Sequence, residues 1–340
     1  MNPLPGLTGL RFLAAFYVFV FHIHLRTPFT FLPSKLQNII NLGPIGVNIF
    51  FVLSGFILTY GYHQKEFTFK DFLWKRFIRI YPTYVVGLLL CLGVNFWLNL
   101  HTPVLIVLAD AFMAESLIPP IAMDWYGDGA WSVSTEMCFY LLFPLLLALL
   151  LQIQNKTVLL ALLVFVLLVS SLPGLLTEYQ LLSFNLSYTF PLFRLPEFLA
   201  GMLLCLLMFR FQFRINLVAG LLLFAFAGFY VVFFSPRFYG YVVHNLFILP
   251  AILAFISLLT TQFKWVGSKL MVYLGQVSYS FYIVQLPLML AFDVLLDQHK
   301  ISPTDFSVGP IVLVINLILA VTVYEIPLDR LFYYLINSYS

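Results

Sequence analysis

Charge is the first thing this chain lacks. Only 9% of its 340 residues are charged while 62% are hydrophobic, which excludes an ordinary soluble domain, where about a quarter of residues carry charge. Polar linkers are missing too. No internal repeat, low-complexity tract or long hydrophilic segment separates the apolar runs, so residues 1–340 read as a single transmembrane domain with no extramembrane catalytic domain. Cysteine is scarce: Cys91, Cys138 and Cys205 sit in apolar runs without paired spacing, which speaks against a disulfide framework or a zinc site, and no metal is expected. The first apolar segment has neither a basic run ahead of it nor a small-residue cleavage site, so it reads as a retained helix rather than a secretory signal.

What is present is a succession of segments long enough to cross a hydrocarbon core of roughly 30 Å. Hydropathy, punctuated by Pro, Gly and charged clusters, predicts ten spans at 7–25, 43–62, 80–98, 130–152, 157–173, 190–209, 216–234, 244–260, 270–292 and 308–328. The fold class is therefore an all-α integral membrane bundle. A further stretch, 103–118, is bracketed by Pro103 and by Pro119 with Pro120 and carries Asp110 and Glu115. It reads as a re-entrant or interfacial helix.

Lys and Arg set the orientation. Lys65, Lys70, Lys75, Arg76 and Arg79 lie between spans two and three, and Lys156, Arg210, Arg214, Lys264 and Lys269 fall in alternate loops. The opposite side holds Arg26, Lys35, Arg237 and Lys300 among Asp110, Glu115, Asp124, Asp128, Glu178, Asp293, Asp297 and Asp305. The first side is read as cytoplasmic, with both termini inside.

Several ionisable or polar groups fall inside the apolar spans, where a charge costs roughly 2.5–3.5 kcal/mol on insertion scales and therefore marks function. Arg11 and His22 in "GLTGLRFLAAFYVFVFHIHLR" are three helical turns apart, on one face and roughly 16 Å from each other along the axis. Read by depth, His22 lies near the outer surface together with Asn48 of "GVNIFFVLSGF" and Glu136 of "WSVSTEMCFY". A carboxylate beside a histidine suits a general base, so His22 with Glu136 is a candidate catalytic pair. Arg194 and Glu197, spaced i, i+3 in "FRLPEFLAG", can pair with each other, and Gln285 in "YSFYIVQLPL" sits in the outer half of span nine. On the other side, "FLWKRFIRIYP" sets Lys75, Arg76 and Arg79 just ahead of the third span. Two arginines three apart form a two-pronged anion site suited to phosphate.

The ordered set "GLRFLAAFYVFVFH", "GVNIFFVLSGF", "RFIRIYP", "WSVSTEMCFYLLFPLL", "RLPEFLAGMLL" and "VSYSFYIVQLPL" resembles the membrane-bound acyltransferase-3 family, whose members O-acylate carbohydrates of the bacterial envelope. The resemblance implies a ten-helix domain of the inner membrane that takes an acyl group, acetyl by preference, from cytoplasmic acyl-coenzyme A. The acceptor it implies is a hydroxyl of an envelope glycan such as lipopolysaccharide O-antigen or exopolysaccharide. It assigns Arg11, His22 and Glu136 to catalysis and Lys75, Arg76 and Arg79 to the acetyl-coenzyme A donor. Asn48, Ser54, Arg194, Glu197 and Gln285 become site-lining candidates. Two departures stand out: many relatives carry histidine at Gln285 and aspartate at Asn48. The expected partners are acyl-coenzyme A, a carbohydrate and the bilayer, without nucleic acid. The rival readings are a glycan or ion transporter, in which the same buried charges form a conduction path, and a non-catalytic subunit of a polysaccharide assembly.

Overall fold

The computed structural model describes residues 4–233, 245–261, 265–298, 308–328 and 332. Arg237, Lys264, Lys300 and Asp305, used above for orientation, lie outside the described residues, as do the outermost residues of two predicted spans, 234 and 244. The fourteen described α-helices are α1 (Pro5–Arg26), α2 (Ser34–Asn41), α3 (Ile45–Tyr62), α4 (Phe69–Leu98), α5 (Val104–Ala111), α6 (Gly127–Gln152), α7 (Lys156–Ser170), α8 (Leu172–Glu178), α9 (Phe184–Thr189), α10 (Pro191–Arg210), α11 (Leu217–Phe233), α12 (Asn245–Thr261), α13 (Lys269–Asp297) and α14 (Val308–Glu325). No strand occurs among the described residues.

Each predicted span falls on a helix. Among the described residues eight helical segments are long and apolar enough to cross a membrane, and the remaining two spans fall on the shorter α11 and α12. The chain is a polytopic membrane protein. The largest difference from expectation is α4, which begins at Phe69, eleven residues before the predicted span. Its N-terminus is fixed by Thr68, whose hydroxyl accepts from the Asp71 amide at 3.1 Å, and it stops where Asn99 turns left-handed at φ 52°. Lys75, Arg76 and Arg79 are thus part of a continuous 30-residue helix rather than of a loop ahead of one.

The segment 103–118 is not one helix. It divides into α5 and a 3-10 turn, Glu115–Leu117, with Met113 at φ 53° between them. Eight residues reach only about 12 Å, too short to span. The Tyr81 hydroxyl donates to the Ala111 carbonyl at 3.0 Å, the Ser134 hydroxyl donates to the Met113 carbonyl at 2.6 Å, and the Tyr84 hydroxyl lies 3.2 Å from Glu115 Oε1. These bonds pin the segment to α4 and α6.

In lipid, apolar side chains gain nothing by leaving one hydrocarbon for another, so helices associate through close backbone packing and buried hydrogen bonds. Both are found at the centre. The helices α3 and α10 cross where a Cβ on Gly55 would overlap the Phe198 carbonyl and one on Gly201 the Val52 carbonyl. The helices α1 and α13 meet where a Cβ on Gly275 would overlap the Thr8 carbonyl. Around this centre, α4 and α14 pack on α13, and α7 packs on α10. Outward-facing Val164, Phe165, Leu168, Leu221, Leu222, Val314 and Ile318 remain exposed, as a lipid-facing surface requires.

Contacts between chain segments also define two ends of the bundle. At one, Arg210 at the end of α10 donates to the carbonyls of Leu151 and Ile153 and to Gln154 in the α6–α7 connection. At the other, Arg26 at the end of α1 meets Asp293 near the end of α13 and Asp128 at the start of α6.

Candidate active site

Arg11 and His22 do not share one cavity. Although both lie on α1, Arg11 faces a large cavity of about 1250 Å³, while His22 faces a separate one of about 270 Å³ nearer the other end of the helix. Drug-sized ligand pockets run roughly 300–1000 Å³. The first cavity therefore has room for an extended ligand and the second for a much smaller group of ring size or somewhat more.

Four cations line the larger cavity, Arg11, Lys75, Arg76 and Arg79, against the two carboxylates Glu136 and Glu325. The early start of α4 makes this possible, because residues at i, i+3 and i+4 of one helix share a face. The guanidinium of Arg76 sits over the rings of Tyr62 and Phe72, 5.9 and 5.8 Å from their centroids, and reaches the Tyr62 hydroxyl at 3.4 Å. Glu136 accepts from Ser54 Oγ at 2.6 Å and from the Tyr140 hydroxyl at 2.5 Å. Within 4.0 Å none of these cations has an acid among the described residues. A partly enclosed space with an excess of cationic forks is a site for an anion, and planar arginines favour phosphate.

The smaller cavity is lined by His22, Arg26, Asp128, Trp131, Tyr188, Tyr282 and Asp293, with Val18, Phe21, Leu25, Pro44, Val47 and Met123. Arg26, one turn beyond His22, donates from NH1 to the His22 carbonyl at 3.1 Å and from NH2 to Asp293 Oδ2 at 2.5 Å; Asp128 Oδ2 lies 4.0 Å away. His22 Nδ1 is buried without a hydrogen-bond partner. An imidazole held in a cavity with one nitrogen unengaged is a group able to take up or carry another species.

The structure does not bring His22 and Glu136 together. Glu136 belongs to the Arg11 cavity, where its carboxylate is held by Ser54 and Tyr140. The carboxylates in the His22 cavity are Asp128 and Asp293. Similar depth in the sequence placed His22 and Glu136 side by side, but depth says nothing of which way each helix is turned.

Asn48, Arg194 and Glu197 line neither cavity. They close a buried ring with Asn245 of α12. Arg194 NH2 donates to Asn48 Oδ1 at 3.0 Å, Asn48 Nδ2 to Asn245 Oδ1 at 2.6 Å, Asn245 Nδ2 to Glu197 Oε1 at 3.0 Å, and Glu197 Oε1 pairs with Arg194 at 3.2 Å. All four side chains are buried. The ring nonetheless touches the site, since the Arg194 guanidinium lies 5.8 Å from the Trp131 ring and 5.4 Å from the Tyr188 ring, both walls of the His22 cavity. Gln285 is fully buried in neither cavity, and its amide has no partner among the described residues. Ser54 does line the larger cavity.

Reading the sequence missed Tyr282, which lines both cavities, and Ser132, which its hydroxyl meets at 3.0 Å. An aromatic and a serine inside apolar helices carry no signal to set them apart from packing residues. Arg26, Asp128 and Asp293 were legible as charges but were read only as indicators of sidedness. Asn245 went unnoticed at the edge of its span. Among the described residues no group of three or more His, Cys, Asp or Glu is arranged to hold a metal.

The fold is a helical membrane bundle with a cationic cavity and a histidine-bearing cavity that share Tyr282 in their linings. The chain belongs to the acyltransferase-3 family: the family's acyltransferase-domain profile matches residues 4–325. It is similar to the acyltransferase MdmB of Streptomyces mycarofaciens, 36% identical over 152 residues, covering 42% of this chain and 38% of that protein. It is also similar to the O-acetyltransferase OatA of Staphylococcus aureus, 28% identical over 167 residues, covering 44% of this chain and 25% of that protein. The match thus spans well under half the length of these relatives. No solved structure matches the chain.

Proposed function

We propose that the protein is a membrane O-acyltransferase that moves an acyl group, acetyl by preference, from acyl-coenzyme A to a hydroxyl of an envelope carbohydrate. The observation that carries this is the pair of cavities strung along α1, one with four cations and one with His22, meeting at Tyr282. Membership of the acyltransferase-3 family and likeness to an O-acetyltransferase support it. On the positive-inside rule the Arg11 cavity opens to the cytoplasm, where acyl-coenzyme A is made, and the His22 cavity faces outward in the inner membrane. Coenzyme A phosphates dock against Lys75, Arg76 and Arg79, and the thioester arm enters past Arg11.

At the other end His22 takes the proton of the acceptor hydroxyl as its oxygen bonds to the acyl carbon. The carbon–sulfur bond breaks and coenzyme A leaves as a thiolate that is then protonated. Alternatively His22 accepts the acyl group first and passes it to the hydroxyl in a second step. Glu136, bonded by Ser54 and Tyr140, balances charge in the donor cavity in this scheme and does not orient His22.

The test is transfer of label from acetyl-coenzyme A to envelope glycan by purified protein in lipid vesicles, comparing wild type with His22→Ala and Arg79→Ala. The expected result is label on the glycan with wild type, none with His22→Ala, and weak labelling with Arg79→Ala that recovers as the donor concentration is raised. Movement of unmodified glycan without donor consumption would replace the enzyme with a transporter.

A further inference from the structure

We propose that Tyr282 is a specificity-determining residue for the acyl group: its phenol, latched to α6, closes the junction between the two cavities and sets the largest acyl chain that reaches His22. The inference rests on the transfer proposed above, in which the acyl carbon passes from the Arg11 cavity to the His22 cavity.

The two cavities share one lining residue. On α13, Tyr282 alone lines both. On α6 the lining changes between consecutive residues, with Trp131 on the His22 side and Ser132 with Val133 on the Arg11 side. The Tyr282 hydroxyl lies 3.0 Å from Ser132 Oγ and donates to the Gly129 carbonyl at 3.0 Å, while Ser132 Oγ donates to the same carbonyl at 3.1 Å. Two polar groups, themselves bonded to each other, thus tie the end of the phenol to the first turns of α6. Its ring stands edge-on to Phe50, 5.9 Å between centroids, and Phe50 is itself a wall of the larger cavity.

Leu286, one turn from Tyr282 on α13, packs its side chain onto α6 at Gly129, where an added Cβ would overlap Leu286 Cδ2. Tyr282 is the side chain shared by the two linings, so passage between the cavities requires it to leave Ser132 and Gly129 and turn. A short acyl group needs a small displacement and a longer one a larger displacement. A closely packed apolar constriction separates ligands by roughly 10–200-fold for each methylene of misfit.

The experiment measures kcat/KM for acetyl-, butyryl- and hexanoyl-coenzyme A with the full chain in vesicles, for wild type, Tyr282→Ala, Tyr282→Phe and Ser132→Ala. Wild type is expected to favour acetyl over butyryl, two methylenes longer, by about a hundredfold or more on the methylene scale above. Tyr282→Ala is expected to reduce that preference at least about tenfold and to raise donor hydrolysis without acceptor, as water crosses the open junction. Tyr282→Phe and Ser132→Ala, which break only the latch, should shift both readouts in the same direction by less. If Tyr282→Ala is inactive with every donor, Tyr282→Leu decides by the same ratio. An unchanged chain-length preference in variants that still turn over acetyl-coenzyme A overturns the proposal, as does equal loss with all donors in folded Tyr282→Leu. If wild type consumes no acyl-coenzyme A, the transferase function falls and this inference with it.

Discussion

Two polar assemblies lie within the same apolar bundle and are built on opposite principles. In the ring of Asn48, Arg194, Glu197 and Asn245, every side chain bonds to at least two others of the four, Asn48 and Glu197 to all three, and the charges cancel. In the two cavities the reverse holds: among the described residues the cations of the larger cavity have no acid within 4.0 Å, and His22 has a buried nitrogen without a hydrogen-bond partner. Removing an ion from water costs several kcal/mol unless partners replace the lost hydration. The ring bonds its four side chains to one another, with only Glu197 Oε2 among its oxygen atoms lacking a partner among the described residues, and so ties α3, α10 and α12 together. The cavities leave theirs open, which is useful only if something else arrives to occupy them.

That contrast predicts which losses are functional and which are structural. The largest effect belongs to the open side: His22→Ala should lower turnover by on the order of 10²–10⁴-fold, with the thermal unfolding midpoint in detergent unchanged. A loss of folded protein instead would move His22 to the ring's class. Glu197→Ala should do the opposite, since it strands a buried guanidinium at a cost of about 3–5 kcal/mol. A drop in unfolding midpoint and yield is expected, with turnover per folded molecule close to wild type, and the double variant Arg194→Met/Glu197→Leu should recover most of the stability. Failure of that recovery would show that the ring's charge itself matters to the His22 cavity.

Arg79→Ala removes one fork from the donor cavity. A charge-assisted hydrogen bond contributes about 1.5–3 kcal/mol, so KM for acyl-coenzyme A should rise by roughly 10–100-fold, steeply dependent on salt, while kcat changes little. An equal fall in kcat would place Arg79 at the reacting atoms. Gln285→Met should have the smallest effect, because that amide belongs to neither assembly. Removing a buried amide without partners should raise stability by about 1 kcal/mol and leave transfer intact, as read by unfolding and by donor turnover.

The bundle was largely legible before any coordinates, because twenty apolar residues in a row have few alternatives to a spanning helix. The errors came where hydropathy is blind. The cluster Lys75, Arg76 and Arg79 read as a loop because it is charged, although it forms the first turns of α4 and faces inward to the larger cavity. Depth along a helix follows from residue number, and on that scale His22 and Glu136 are level. Rotation about the axis does not follow, and it turns Glu136 towards Ser54 and Tyr140. The pairing of Arg194 with Glu197 was visible from their i, i+3 spacing. Its completion by Asn48 and Asn245 was not, since those residues come from two other helices.

The unbroken course of α1 has one more consequence. Between Arg11 and His22 it carries neither proline nor glycine and remains α-helical throughout, so the two side chains are held roughly 16 Å apart by backbone hydrogen bonds. For an enzyme working as proposed, this helix is a ruler laid alongside the donor: it fixes how far the thioester arm must run on from Arg11, where it enters, to reach His22. A truncated thioester that keeps the acyl group but loses the long arm would bring the right chemistry to the wrong end of the scale.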